Sequence, residues 1–310
     1  FHFMDSHRLK IAFPLIEDVL LHLVNLSLKN RDFASIWKVQ LVKPLFKKKD
    51  PLETKNYRPV SHLIEVSKIV EYVVHEQVFN HFITNNLFHE NHHGFISNHS
   101  TASALIQLYD YWLEAAENKE LSAALLLDLS TAFDVVDHQI FLDKLKIYKF
   151  SEGSINWFKT YLENRYLYTQ VESKISDAEE PQEYGVPQGS IMGPLIYIIH
   201  CNDFPASSED GESVMYADDD TDNVHDKNPL ELKRKIQQEA DISSSWIKDN
   251  RLVCSGEKTK LLIIGTTELK RTLRTDNNIE INVALAKSSQ IGVDTEEDYL
   301  ALKKIMEYKA

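Results

Sequence analysis

The chain has 310 residues, 43% of them apolar and 10% aromatic, enough to bury a core in one large domain or two to three lobes and too many for a disordered polymer. Its two cysteines, Cys201 and Cys254, form no CxxC pair, which excludes a disulfide framework or structural zinc site and fits an intracellular compartment, nuclear or cytoplasmic. A formal net charge of -13 (34 Lys plus Arg against 47 Asp plus Glu) excludes a uniformly basic nucleic-acid binder. The charge is segregated instead: Lys43, Lys47, Lys48, Lys49, Lys55 and Arg58 make an early basic segment, whereas residues 203–226 hold nine acidic residues and neither Lys nor Arg.

From residue 10 to 30, Ile11, Leu15, Val19, Leu20, Leu23, Val24 and Leu28 recur at helical spacing. Residues 37–46 follow as a strand, which Pro44 confines to a sheet edge or ends. Residues 56–61 are a second extended piece, Pro59 biasing Arg58 toward β geometry. The lysine-rich turn between them predicts a finger-like hairpin presenting Lys47 and Arg58. Residues 63–83 are helical. His89, His92, His93 and His99 match no metal-ligand spacing and are expected in a polar, solvated loop. Ser100 and Thr101 cap the next helix.

Residues 121–129 are a continuous apolar run ending on one carboxylate, Asp128, and predict a central strand. A charge there needs a partner or a metal, unless it caps the following turn. Helices are expected over 138–148 and 154–162 and a strand over 166–174. The run G-V-P-Q-G-S at 185–190 then opens an apolar helix interrupted at Gly193-Pro194. Gly189 allows close backbone approach, Gln188 can bond a base or sugar, and the helix N-terminus favours phosphate.

The stretch V-M-Y-A-D-D-D at 214–220 runs a strand into three carboxylates. Strand side chains alternate faces, so Asp218 and Asp219 reach a shared cation only if the chain turns there, and a tight hairpin is expected. Like charges so close destabilise one another, and a hard divalent cation, magnesium, relieves the cost; an acidic surface turn is the alternative. A solvated helix follows over 229–246. Short strands at 251–253 and 260–264 flank a turn at 256–259, with a last strand at 291–293 and a helix at 299–310. No run of about eighteen apolar residues predicts a membrane span. The opening, without an initiator methionine, is read as part of a longer chain.

As an ordered set, these pieces resemble the reverse transcriptase domain of non-LTR (LINE-like, jockey/CR1-type) retrotransposons from about residue 15 to 265. The matching motifs are W-K-V-Q-L-V-K-P-L-F-K-K, N-Y-R-P-V-S, H-G-F-I-S-N-H-S-T, L-D-L-S-T-A-F-D-V-V-D-H, G-V-P-Q-G-S-I-M-G-P-L, Y-A-D-D, and W-I-K-D-N-R-L followed by K-T-K. The resemblance implies an α+β right-hand polymerase fold with fingers and palm, an antiparallel palm sheet backed by helices, and a truncated or absent thumb. It implies an N-terminal extension and fingers over 1–120, a palm over 121–265 with finger insertions, and a palm end with the start of a thumb over 266–310. The implied activity is RNA-directed DNA synthesis from a primer 3′-hydroxyl with two Mg2+ ions, Mn2+ substituting. RNA template, DNA primer and dNTP are the implied partners, without a membrane, alongside further domains of a longer polyprotein.

Carried over by residue, Asp128, Asp218 and Asp219 resemble the metal-binding catalytic carboxylates and Lys258 the lysine beside the departing pyrophosphate. Phe133 resembles the aromatic gate against a 2′-hydroxyl, Lys47 and Arg58 the triphosphate grip, and Gln188 and Gly189 the nucleotide and template contact. Departures stand beside these matches. Ile96 replaces a usual arginine, Thr131 a lysine and Ser255 an asparagine; Gln290-Ile291 weakens a usual L-G pair; Asp220 and Asp222 add negative charge beside the expected metals. They sustain an alternative: a catalytically inactive or domesticated copy that binds nucleic acid or protein.

Overall fold

In a computed structural model, the described residues are 6–129, 132–178, 183–256 and 258–265. In chain order the elements are α1 (Ser6–Asn30), β1 (Val39–Phe46), β2 (Tyr57–His62), α2 (Glu65–Thr84), α3 (Thr101–Glu117), β3 (Leu121–Asp128), α4 (His138–Ile147) and α5 (Glu152–Leu162). They continue with β4 (Tyr166–Val171), β5 (Lys174–Ile175), α6 (Met192–Cys201), β6 (Glu212–Tyr216), β7 (Asp219–Asp226), α7 (Pro229–Asp249) and β8 (Lys260–Ile264). The strand expected at 291–293, the helix at 299–310 and the whole segment from 266 lie outside the described residues.

The chain divides into two compact units, each assembled from separated stretches. One takes residues 6–85 and 133–197, the other 86–132 and 198–265.

The first unit carries a sheet of order β2-β1-β4-β5. β1 and β2 form the expected hairpin, with Leu45 opposite Arg58 and Phe46 opposite Tyr57. β1 is an interior strand, not an edge, because β4 pairs parallel to it from Val39 to Val42. Pro44 is tolerated because that pairing has ended before the missing N–H would be needed. The helical part of the unit closes around Phe33, whose ring meets Trp37, Trp157 and Tyr161 edge-on at 4.9–5.7 Å. α1 turns Leu9, Leu20 and Val24 inward and leaves Ile11, Leu15, Val19 and Leu21 exposed. It is the one described helix long and apolar enough by composition to cross a membrane.

The second unit is built on the sheet β6-β7-β3-β8, antiparallel throughout. Its central strand β3 is buried along most of its length, as a continuous apolar run requires. Leu125 and Leu127 share the face on which α7 packs, where Ser243 reaches Asp222. Ala124, Leu126 and Asp128 share the other face, part of which α3 covers through Ala104 and Leu108 against Val214. Residues 251–253 are not a strand; only Cys254 bridges β3's continuation, at Leu129.

Two further expectations change here. His92 and His93 are buried, not solvated, because this segment lies along the open edge of β6: His92 bridges Met215, and His93 N donates to Met215 O at 2.8 Å. The His93 ring closes a network with Ser103 Oγ (2.9 Å) and Gln107 Oε1 (2.6 Å). The Gly193-Pro194 pair does not interrupt α6, because it sits in the first turn, where a missing N–H costs nothing.

Candidate active site

The carboxylates of the second unit are positioned by strand register. β6 and β7 meet through a two-residue turn, Ala217-Asp218, with Tyr216 opposite Asp219 and Ala217 in the left-handed region at φ 59°. β7 also pairs with β3, and in that register Asp219 lies directly opposite Asp128. Opposed residues of an antiparallel pair project to the same face with their Cβ atoms about 5 Å apart. Two acids 91 positions apart in sequence therefore share one face, with Asp218 on the turn beside them.

Backbone bonds hold Asp128 on both sides: Leu129 N donates to Asp218 O (3.3 Å) and Ser255 N to Asp128 O (2.9 Å). Lys258 Nζ lies 2.8 Å from Asp128 Oδ1. Partial burial, then the charges of Asp218 and Asp128, push the Asp219 carboxyl above its ordinary range, against the opposing Lys258 ammonium. Asp218 and Asp128 are thus each within electrostatic reach of Asp219.

The donors here are all carboxylate oxygens, the chemistry a hard divalent cation takes. Among the described residues no three His, Cys, Asp or Glu side chains are already gathered as a metal-binding group. The fit therefore rests on the donor type and on the strand register that sets Asp219 opposite Asp128 with Asp218 on the adjoining turn.

Asp220 and Asp222 are not part of this cluster. Counting by two from Asp219 puts them on the opposite face, where both are buried. Asp222 accepts from the Ser213 hydroxyl and from Ser243 Oγ (2.6 Å), and burial pushes its carboxyl up to about 6. The expectation that these acids add charge beside Asp128 and Asp219 is corrected by the pleat.

The first unit holds the remaining candidates. Lys47 and Arg58 are exposed on the β1–β2 hairpin, Lys47 N donating to Asn56 O across its mouth at 2.8 Å. The Phe133 ring lies 4.9 Å from that of Tyr197, and Val186 N donates to Phe133 O at 2.8 Å. Gln188 O accepts from Ser61 N of β2 at 2.8 Å. Gly189 has φ +108°, and a Cβ there would stand 3.1 Å from Ser61 O, so the loop's conformation and its approach to β2 both favour glycine. This unit thus brings together β2, the Phe133 loop and the 185–190 loop; Asp128, Asp218, Asp219 and Lys258 belong to the other unit.

Two residues escaped the sequence reading. Glu71, fully buried on α2, accepts from Ile191 N (2.9 Å) and Met192 N (3.5 Å), so the α6 N-terminus expected to attract phosphate already holds a carboxylate. A lone Glu inside the apolar stripe of α2 was the available signal. Asp134 accepts from Gln188 Nε2 at 2.6 Å, a contact between residues 54 positions apart that no local pattern announces.

A helix-backed antiparallel sheet with paired acids at a hairpin turn defines a polymerase-like palm, and solved structures agree on the fold. The chain matches the apo telomerase of Candida tropicalis truncated from its C-terminal domain, with TM-score 0.53 and 11% identity over 75% of this chain and 51% of that one. It matches telomerase from the same organism in complex with a TWJ fragment of telomeric RNA equally, with TM-score 0.53 and 12% identity over 75% and 42%. These likenesses establish the right-hand polymerase architecture.

The chain belongs to the reverse transcriptase (RNA-dependent DNA polymerase) family, whose sequence profile matches residues 46–300. It is 30% identical over 234 residues to the RNA-directed DNA polymerase from mobile element jockey of Drosophila melanogaster, and 28% identical over 257 residues to the probable RNA-directed DNA polymerase from transposon BS of the same species. These alignments cover 73% and 80% of the chain, which spans about a quarter of the length of either relative (25% and 28%). The resemblance to non-LTR reverse transcriptases is borne out.

Proposed function

We propose that this chain is the catalytic core of an RNA-directed DNA polymerase, adding deoxynucleotides to the 3′-hydroxyl of a primer on an RNA template. The observation that carries the reading is the β3–β7 register that sets Asp128 opposite Asp219, with Asp218 on the adjoining turn. These three acids would hold Mg2+, or Mn2+ in its place, as two ions. When bound, such cations lower the pKa of the attacking hydroxyl and stabilise charge on the leaving pyrophosphate. Lys258, whose ammonium lies 2.8 Å from Asp128, would neutralise or protonate the pyrophosphate. Phe133 sets a ring against the sugar, leaving no room for a 2′-hydroxyl. Arg58 offers triphosphate oxygens a bidentate fork and Lys47 a point charge. Gly189 lets the backbone approach the nucleotide and template, and Gln188 supplies an amide. In the parent polyprotein, further domains accompany this core.

The test is incorporation of a labelled dNTP on a primed RNA template by the 310-residue chain, with and without Mg2+. Activity is expected with the metal, and Asp128→Ala and Asp218→Ala are each expected to lower it by at least about 100-fold. Binding of the primed template without incorporation under any metal condition would replace this reading with that of an inactive copy.

A further inference from the structure

We propose that a cavity in the first unit, where α1 and α4 end and α5 begins, binds a small organic anion. The apolar or aromatic body of the ligand rests on Trp157 and Phe158, and its charged group meets Arg31 and Lys149. None of these residues belongs to the candidate catalytic machinery, so the inference does not rest on the polymerase reading.

The cavity encloses about 540 Å3, within the range that small-molecule sites occupy. Its floor is apolar: Val74 and Val78 of α2 and Trp157 and Phe158 of α5 are all buried. The floor is also fixed in advance. Trp157 Nε1 donates to Ser27 Oγ at 3.0 Å, and the indole lies parallel to the Tyr161 ring with centroids 5.5 Å apart. A ligand therefore meets a surface that need not be ordered on binding, which lowers the cost of association.

The rim supplies the charge. Arg31 follows the end of α1 and Lys149 the end of α4, both in the left-handed region, at φ 58° and 61°. A basic residue after a helix is ordinary, because a cation there meets the negative end of the macrodipole. Here two such ends deliver their cations to one cavity. Among the described residues neither side chain has an ion-pair partner, and no Asp or Glu lines the cavity. In a chain of net charge -13 that exclusion of acids is a local reversal of sign.

α5 adds to the same potential. Ser151 caps it, its hydroxyl accepting from Ser154 N at 3.2 Å, and both serines line the cavity. The positive end of the α5 dipole thus opens on the side where Arg31 and Lys149 stand. An apolar floor beneath two unpaired cations and a helix start fits a ligand that is apolar over most of its body and anionic at one end.

The test titrates the full chain with anilinonaphthalene sulfonate, fused and single rings carrying one sulfonate, and with phenylnaphthylamine, which has the same rings without it. Saturable binding of the sulfonate at one site per chain is expected. Arg31→Gln and Lys149→Gln remove the charges at exposed positions. Each should weaken the sulfonate about tenfold, the scale of one hydrogen bond to a charged group, and leave the uncharged amine as it was. Lys29→Gln removes an exposed cation of α1 that does not line the cavity and should change neither. Gln77→Trp, at an exposed lining position on α2, fills the cavity and should abolish binding of the sulfonate. Thermal unfolding should match the parent in all four variants, because no buried side chain is changed. Sulfonate binding that survives Gln77→Trp overturns the inference. So does binding that Arg31→Gln and Lys149→Gln weaken no more than Lys29→Gln does, or the absence of any saturable site.

Discussion

Asp219, Asp220 and Asp222 carry the same chemical group within four residues of one strand and meet two different fates. Asp219 stands on the face it shares with Asp128. Asp220 and Asp222 are buried on the other face, and burial pushes both carboxyls up, Asp222 to about 6. The sign of the resulting pH dependence follows from linkage. A carboxyl whose folded pKa exceeds its unfolded value, ordinarily near 3.9, binds more protons in the native state. The stability Asp222 contributes is therefore complete below about pH 4 and is lost as pH rises through about 6. Asp222→Asn stays uncharged throughout, so its unfolding free energy should fall less steeply over that window, by on the order of 2–3 kcal/mol in total. Urea denaturation of parent and variant from pH 4 to 7 measures this, and parallel profiles would refute it. The facing of these acids was legible in advance, since counting by two from Asp219 separates them from the face it shares with Asp128. The Ser213 and Ser243 hydroxyls that accommodate Asp222 were not, because Ser243 arrives from a helix 21 positions away.

At the scale of elements, the palm was readable because its strongest signals are local. An uninterrupted apolar run ending in a carboxylate has few destinations other than a central strand, and aromatic-Ala-Asp between strand-like residues is a turn. Contacts that bind one element to another left no comparable trace. The histidine segment reads as polar and solvated, yet it lies along β6 and places Gly94 against the turn. A Cβ on Gly94 would stand 2.1 Å from Ala217 N and 2.7 Å from its Cα, backbone atoms that cannot yield without moving Asp218. Gly94→Ala should therefore cost about 1–3 kcal/mol of stability and lower incorporation well beyond that loss of folded protein. Gly153→Ala is the control. The atoms nearest its Cβ all belong to the Arg31 side chain, from 2.5 Å, and an exposed arginine can swing aside. Assay of both variants at matched folded fraction separates the cases; equal activities would mean that the turn does not depend on Gly94.

For the whole molecule, a net charge of -13 and nucleic-acid binding are compatible only if the phosphate contacts are local. The acids of residues 203–226 belong to the unit built on β3, where two of them are buried. The exposed cations Lys43, Lys47, Lys48, Lys49 and Arg58 belong to the other unit, on or beside one hairpin. Phe46 is exposed among them, its ring 5.4 Å from that of Tyr57, so the hairpin offers an aromatic surface for base contact beside the charges. Binding should then weaken with salt at a slope set by this hairpin and not by the overall charge. Removing Lys48 and Lys49 together by alanine substitution should reduce the slope of log K against log salt by about 0.7–0.9 per lysine. Asp210→Asn, in the acidic segment, changes the net charge by half as much and should leave the slope where it was. Fluorescence anisotropy with a primed RNA template between about 50 and 200 mM salt distinguishes the two. A slope that tracked net charge, moving with Asp210→Asn as with the lysines, would locate affinity in the protein's overall field and remove the hairpin's special role.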